Sequence, residues 1–113
     1  MLGELQFCSN ISMRVNFEWD PAKAASNLRK HGVSFELALR VFADPFALMA
    51  RDRIEGGELR WQTVGMVDGH LLLLVVHTLQ DEGDDGESAD IVRIISARAA
   101  DRKERRRYEQ ESG

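Results

Sequence analysis

The sequence predicts an α+β fold in which a mostly antiparallel sheet carries two amino-terminal helices packed on it. Three observations lead there. Two capped helical segments stand side by side between residues 20 and 45, behind a short alternating strand. Glu55-Gly-Gly-Glu58 and Asp68-Gly69 are hairpin signals. Around and after them lie apolar runs of strand length. The expected order is β-α-α-β-β-β-β-α.

Residues 1–14 show no strong period and are expected to form a flexible amino-terminal extension, in which Met13 offers an alternative start. A single domain is expected over 15–111. Residues 15–19 alternate apolar and polar side chains, as a half-buried strand does. Asp20-Pro21 starts a helix, with Asp capping free amides and Pro tolerated at the first helical position. That helix runs to about His31 and stops at Gly32, a residue that adopts the left-handed conformation of a C-cap. Ser34 opens a second helix through Phe42, with Phe35, Leu37, Ala38, Val41 and Phe42 as its buried stripe. Asp44-Pro45 closes it. Strands are expected over 46–54, 59–67, 71–79 and 91–97. The third of these is apolar on both faces, so it belongs at the centre of the sheet. Asp101-x-x-Glu104 resembles a capping box and starts a last helix.

Composition narrows the class. At 113 residues the chain suits one domain with one core. Its longest apolar run, 71–76, is strand-sized, so no membrane partner is expected. The amino terminus lacks the basic start and long apolar stretch of a signal peptide, and a cytoplasmic location is expected. Cys8 is the only cysteine, which leaves no internal disulfide and no Cys-based zinc site. His31, His70 and His77 do not have metal-ligand spacing, so no metal and no cofactor are expected. The net charge is −4, but residues 80–90 hold six acids and no base. Without them the chain has 15 basic against 13 acidic side chains, a net +2. The body is mildly basic and the acidity lies in an insert, a distribution compatible with a nucleic-acid partner.

The carboxy-terminal helix is unusual. From Arg98 to Glu109 there are six basic residues, three acids and one tyrosine. A helix ordinarily stays folded by burying an apolar stripe. This one has only Ala99, Ala100 and Tyr108 to offer, so it is expected to work at the surface, where cations meet phosphates or a partner's carboxylates.

With these residues in view, the chain resembles the BrnT family of bacterial type II toxins. Phe17-Glu-Trp-Asp-Pro-x-Lys23, Asn27, Lys30-His-Gly-Val33 and Phe35-Glu36 resemble its amino-terminal signature. Val41-Phe-x-Asp-Pro45 and Glu58-x-Arg60 resemble its middle. Val75-Val-His-Thr78, Arg93-Ile-Ile-Ser-Ala-Arg98, Glu104-Arg105 and Tyr108-Glu109 resemble its end. The resemblance implies a RelE-like fold, endoribonuclease activity and inhibition of translation. It also implies a cognate BrnA-type antitoxin that binds operator DNA, so that the toxin meets DNA, and represses its operon, only through that partner in a hetero-oligomer. Two features depart from the family's pattern. An acidic insert follows Gln80, where family members turn tightly, and the extension before Arg14 is long.

A metal-independent ribonuclease needs a base for the 2′-hydroxyl, a cation for the phosphorane and an acid for the leaving 5′-oxygen. Arg60, His77, Arg98 and Glu104 are the catalytic candidates. Lys23, Lys30, Arg93, Arg102, Arg105 and Tyr108 are the RNA-binding candidates. His77, at the end of the central strand, is either base or acid, or a half-buried histidine bonded to a neighbouring strand. Arg93 and Arg98 are five positions apart, so a regular strand sends them to opposite faces. Arg93 has a structural alternative as a cross-strand partner of Glu58 or Asp52. Arg60 shares a face with Glu58 and converges with His77 and Arg98 if their strands are neighbours; otherwise it is a surface ion pair. Tyr108 either stacks on a base or pins the helix to the sheet. Glu104 is a base or a capping residue. Lys23, Asn27 and Lys30 are expected on one exposed helix face. The alternative to a nuclease is a catalytically degenerate module that binds a partner or RNA without cleaving it.

Overall fold

The computed structural model describes residues 14–81 and 89–112. The chain runs β1 (Arg14–Glu18), α1 (Pro21–His31), α2 (Phe35–Leu39), a 3-10 turn (Arg40–Ala43), β2 (Leu48–Glu55), β3 (Glu58–Val67), β4 (Leu71–His77), β5 (Gln80–Asp81), β6 (Ala89–Ala99) and α3 (Arg102–Ser112). The expected α+β class and element order hold, with the two-residue β5 added. The extension expected over 1–14 lies outside the described residues except Arg14, with which β1 begins. Most of the acidic insert also lies outside them; its two ends form β5 and the start of β6.

The sheet order is β1-β6-β4-β3-β2, with β5 beside β6. Every pair is antiparallel except β1 with β6. The apolar run of β4 takes the central position, and Leu72, Leu73, Leu74 and Val75 are all buried. Alternation along the strands then makes two faces. On one, Leu73, Val75, Ile94 and Ala97 pack against Val33, Phe35, Ala38, Val41 and Phe42 of α2 and its flanking turns. On the other, Val64, Leu72 and Leu74 receive Tyr108 of α3.

The local signals act as read. Asp20 Oδ1 accepts from the Ala22 amide at 2.9 Å, and Gly32 closes α1 at φ 72°. Ser34 Oγ accepts from the Leu37 amide at 3.0 Å. The second helix is shorter than expected, because its last turn tightens into the 3-10 geometry before Asp44-Pro45. That turn lies hard against β3 at Gly65. A Cβ there would stand 2.8 Å from both Val41 Cγ1 and the Val41 carbonyl oxygen.

Asn27 departs from its expected place. It is buried rather than aligned with Lys23 and Lys30 on the outer face of α1. Its Nδ2 donates to the Val33 and Ala97 carbonyls at 2.9 Å each, and its Oδ1 accepts from the Ala97 amide at 3.0 Å. These three bonds tie α1 to β6 and to Val33 and satisfy buried backbone groups there.

Candidate nucleic-acid interface

β6 decides where the cations point. Val76 of β4 pairs with Ser96, yet His77 pairs with Ile94, so Ile95 is an extra residue in β6. This bulge reverses the alternation. Ile94 and Ala97, three positions apart, both pack under the helices. Arg93 and Arg98 therefore share the opposite face, and the expectation of opposite faces, which assumed a regular strand, is corrected. Arg60 joins them there, because its neighbour Trp61 lies in the row of His77 and Ile94.

Two cationic groups result. Arg98 makes a forked pair with Glu104, Nη1 to Oε1 at 2.9 Å and Nη2 to Oε2 at 2.8 Å. These bonds raise the Arg98 pKa above its ordinary value, the hydrogen bond to Glu104 outweighing partial burial. Glu104 also closes a reciprocal capping box, accepting from the Asp101 amide while Asp101 Oδ1 accepts from the Glu104 amide, both at 2.8 Å. Glu104 is thus a cap that also steers Arg98. The second group gathers on Glu58. Arg93 Nη2 donates to Glu58 Oε2 at 2.6 Å, one of the two partners that the structural alternative offered. Arg60 approaches Glu55 at 3.8 Å and Glu58 at 4.0 Å. The buried Nε atoms of Arg60 and Arg93 have no hydrogen-bond partner among the described residues. Four residues of strand, about 13 Å, separate the two groups along the sheet. Gln62, Val76 and Ser96, each half-buried, form the row between them.

His77 is on the other face. Its side chain is 0% exposed. Nδ1 lies 3.1 Å from the Thr78 carbonyl, Nε2 lies 2.8 Å from Thr63 Oγ1, and the Phe42 ring stands edge-on at 5.0 Å. A carbonyl only accepts, so Nδ1 carries the proton and the Thr63 hydroxyl donates to Nε2. Burial lowers the His77 pKa. The strand end that was expected to open onto a working face is roofed by Phe42, and convergence of His77 with Arg60 and Arg98 does not occur.

Tyr108 is 7% exposed, and its hydroxyl donates to Asp44 Oδ2 at 2.6 Å. Burial and that bond push its pKa up to about 12. Of its two readings, geometry favours the pin over the stacking platform, since the ring packs with Val64, Leu72 and Leu74. Asp44 is the anchor that sequence reasoning passed over. It also accepts from the Met66 amide at 2.8 Å and the Phe46 amide at 2.9 Å. The signal was its place in Val41-Phe-x-Asp-Pro45, read only as a helix stop. Arg102 and Arg105 are exposed on α3, beside Arg98 in the chain. Lys23 and Lys30 are exposed on α1, across the sheet from them. The RNA-binding candidates therefore fall into two surfaces. Among the described residues no three His, Cys, Asp or Glu side chains gather so as to hold a metal ion. No helix there is long and apolar enough to cross a membrane.

The class defined by these features is a small α+β protein whose sheet collects arginines from separate strands on one face, flanked by a cationic helix. A family model described as "Ribonuclease toxin, BrnT, of type II toxin-antitoxin system" matches residues 19–104, and the chain belongs to this family. Membership implies an antitoxin as a partner. Among solved structures the chain is similar to the crystal structure of the Brucella abortus ribonuclease toxin BrnT. That match has 21% identity over 76% of this chain and 96% of that chain, with a TM-score of 0.45. No curated protein matches.

Proposed function

We propose that the chain is the endoribonuclease of a toxin–antitoxin pair, binding RNA along the arginine-bearing face of the sheet and cleaving it by metal-independent acid/base catalysis. The observation that carries this reading is the bulge at Ile95, which puts Arg60, Arg93 and Arg98 on one side. The row Gln62–Val76–Ser96 between them is uncovered enough to receive a ribose–phosphate chain. Arg98 stabilises the phosphorane, and its fork onto Glu104 models how it grips two phosphate oxygens. Glu104, freed when phosphate takes the guanidinium, accepts the proton of the 2′-hydroxyl as its oxygen bonds to phosphorus, and the departing 5′-oxygen takes its proton from water. Arg60 and Arg93 hold a phosphate further along the same strand, with Arg102 and Arg105 extending the track. His77 shapes the sheet from behind rather than meeting substrate. Cleavage of cytoplasmic RNA inhibits translation, and a BrnA-type antitoxin neutralises the toxin and carries it to operator DNA.

Two observations favour the second reading, a module that binds without cleaving: the imidazole is sealed in the core and Glu104 already accepts three hydrogen bonds. Digestion of RNA in excess chelator separates the two. Fragments ending in 2′,3′-cyclic phosphate, lost about 10²–10³-fold in a folded Arg98→Ala variant, are the expected result. Fragments bearing 5′-phosphate, or no cleavage by the wild type, reject the metal-independent nuclease.

A further inference from the structure

β4 ends at His77, where it pairs with both Trp61 and Ile94, and the chain then swings away so that Gln80 pairs with Ile91 of β6. β3 continues beyond that point to Glu58 without a β4 partner. The parting strands leave a cleft of about 440 Å³ lined by Gly57, Glu58, Leu59, Trp61, Leu79 and Gln80, with Thr78 at its floor. Its walls are mixed in a particular way. Trp61 presents a half-buried ring, with the exposed Arg51 guanidinium 5.8 Å from its centroid. Leu79 is 39% exposed, an apolar side chain held out at the mouth. Glu58, which lines the cleft, is the same carboxylate that Arg93 and Arg60 approach.

Resting on the ribonuclease reading, we propose that this cleft is a subsite for one unpaired nucleobase of the RNA. An indole, a guanidinium over it and an apolar lip are the surfaces on which unpaired bases stack. The base sits against Trp61 and Leu79, with Arg51 resettling over it. The adjoining phosphate meets the exposed Arg51, which pairs with Trp61 across β2 and β3 and shares its side of the sheet, while Arg60 and Arg93 lie on the other side. The Arg51 guanidinium beside the indole favours a nucleotide over an apolar peptide side chain, because a base brings its phosphate with it. The polar edge of the base meets Gln80 and Glu58, so the subsite also contributes to base preference.

The test uses the full chain carrying Trp19→Phe, which leaves Trp61 as the reporter tryptophan. The probe is a 2′-O-methyl hexanucleotide, which binds without being cleaved, together with the same backbone made abasic. We expect the base-bearing strand to quench Trp61 emission and to bind about 5- to 150-fold more tightly than the abasic one. Trp61→Ala and, at the exposed lip, Leu79→Asp should bring its affinity down to the abasic value, while Trp61→Phe keeps most of it. Equal affinity for the two strands in a wild type that still cleaves RNA removes the subsite and leaves the nuclease. A wild type that neither binds nor cleaves removes both. Quenching by the purified antitoxin but not by the oligonucleotide overturns the proposal and makes the cleft a protein-docking site.

Discussion

Acid should destabilise this protein through one side chain. His77 is enclosed as a neutral ring that donates to Thr78 and accepts from Thr63, with Phe42 above it. Its burial lowers its pKa below the ordinary 6.5. In the unfolded chain the ring takes up a proton near pH 6.5, while in the folded chain it does not until the pH is lower. The unfolded state therefore binds more protons over that interval, and stability rises with pH there. His77 contributes full stability above about pH 6.5 and loses it as the pH falls toward the folded value. The limiting slope for one proton is about 1.4 kcal/mol per pH unit. Between pH 7.5 and 5.5 the loss is at most about 1.4 kcal/mol, the limit for a ring that stays neutral in the fold throughout, or at most about 6 °C in Tm for a domain of this size. Urea midpoints at pH 7.5, 6.5 and 5.5 measure it, with His77→Gln as the comparison. That variant is less stable at neutral pH but should have a flatter profile. A wild type equally stable at pH 5.5 and 7.5 would refute the argument, as would a His77→Gln variant whose stability falls just as steeply. The same experiment protects the functional question: activity lost in a His77 variant speaks to catalysis only beyond the fraction that has unfolded.

Four further outcomes follow from the packing. Asn27→Ala removes the side chain that satisfies Val33 and both backbone groups of Ala97, and should cost about 2–4 kcal/mol in a denaturant titration; a cost below about 0.5 kcal/mol means those groups find water instead. Gly65→Ala drives a methyl into Val41, including its backbone oxygen, and should cost about 1–3 kcal/mol by the same measurement. Tyr108→Phe keeps the ring but drops the bond to Asp44, costing about 1–2 kcal/mol and accelerating amide exchange in α3 before the rest of the chain. Tyr108 is the only tyrosine, so an ultraviolet titration reads it alone and should show ionisation near pH 12, as its burial and its bond to Asp44 require. Because the folded pKa is raised, the stability it contributes is present below pH 10 and is lost as pH climbs toward 12; a transition at pH 10 in the folded protein is the contrary result.

What was legible in the sequence was mostly local. Asp20-Pro21, Gly32, Ser34, Asp44-Pro45, the two turn signals and Asp101-x-x-Glu104 act within a few residues of themselves, and all mark element ends in the fold. The both-faced apolar run gave the central strand. The partnership of Arg93 with Glu58 was one of two that the sequence left open beside RNA binding, and the reason for it is indirect: β4 ends before it can stand between them. What stayed hidden depends on non-local geometry. Nothing in Ile94-Ile95-Ser96 announces a bulge, since all three residues suit a regular strand. Asn27 has a helical spacing that reads as exposed, and only the approach of β6 reveals that a buried amide is needed. His77 follows a buried run at a strand end, and whether such an end is open depends on Phe42, 35 positions earlier in the chain.

The bulge also explains how this face can be so rich in arginine. In a regular strand Arg93 and Arg98 would part, and one guanidinium would press into the layer of Val92, Ile94 and Ala97 under the helices. Burying an unpaired cation there costs several kcal/mol, far more than the ladder bond given up at one extra residue. With Ile95 inserted, the apolar residues keep the covered face and both arginines reach the open one, where Glu58 and Glu104 hold them. The same residue that preserves the core thus sets the spacing between the two cationic groups. Removing it would exchange core and surface side chains along one arm of β6, so the spacing of the cations and the integrity of the core cannot vary independently.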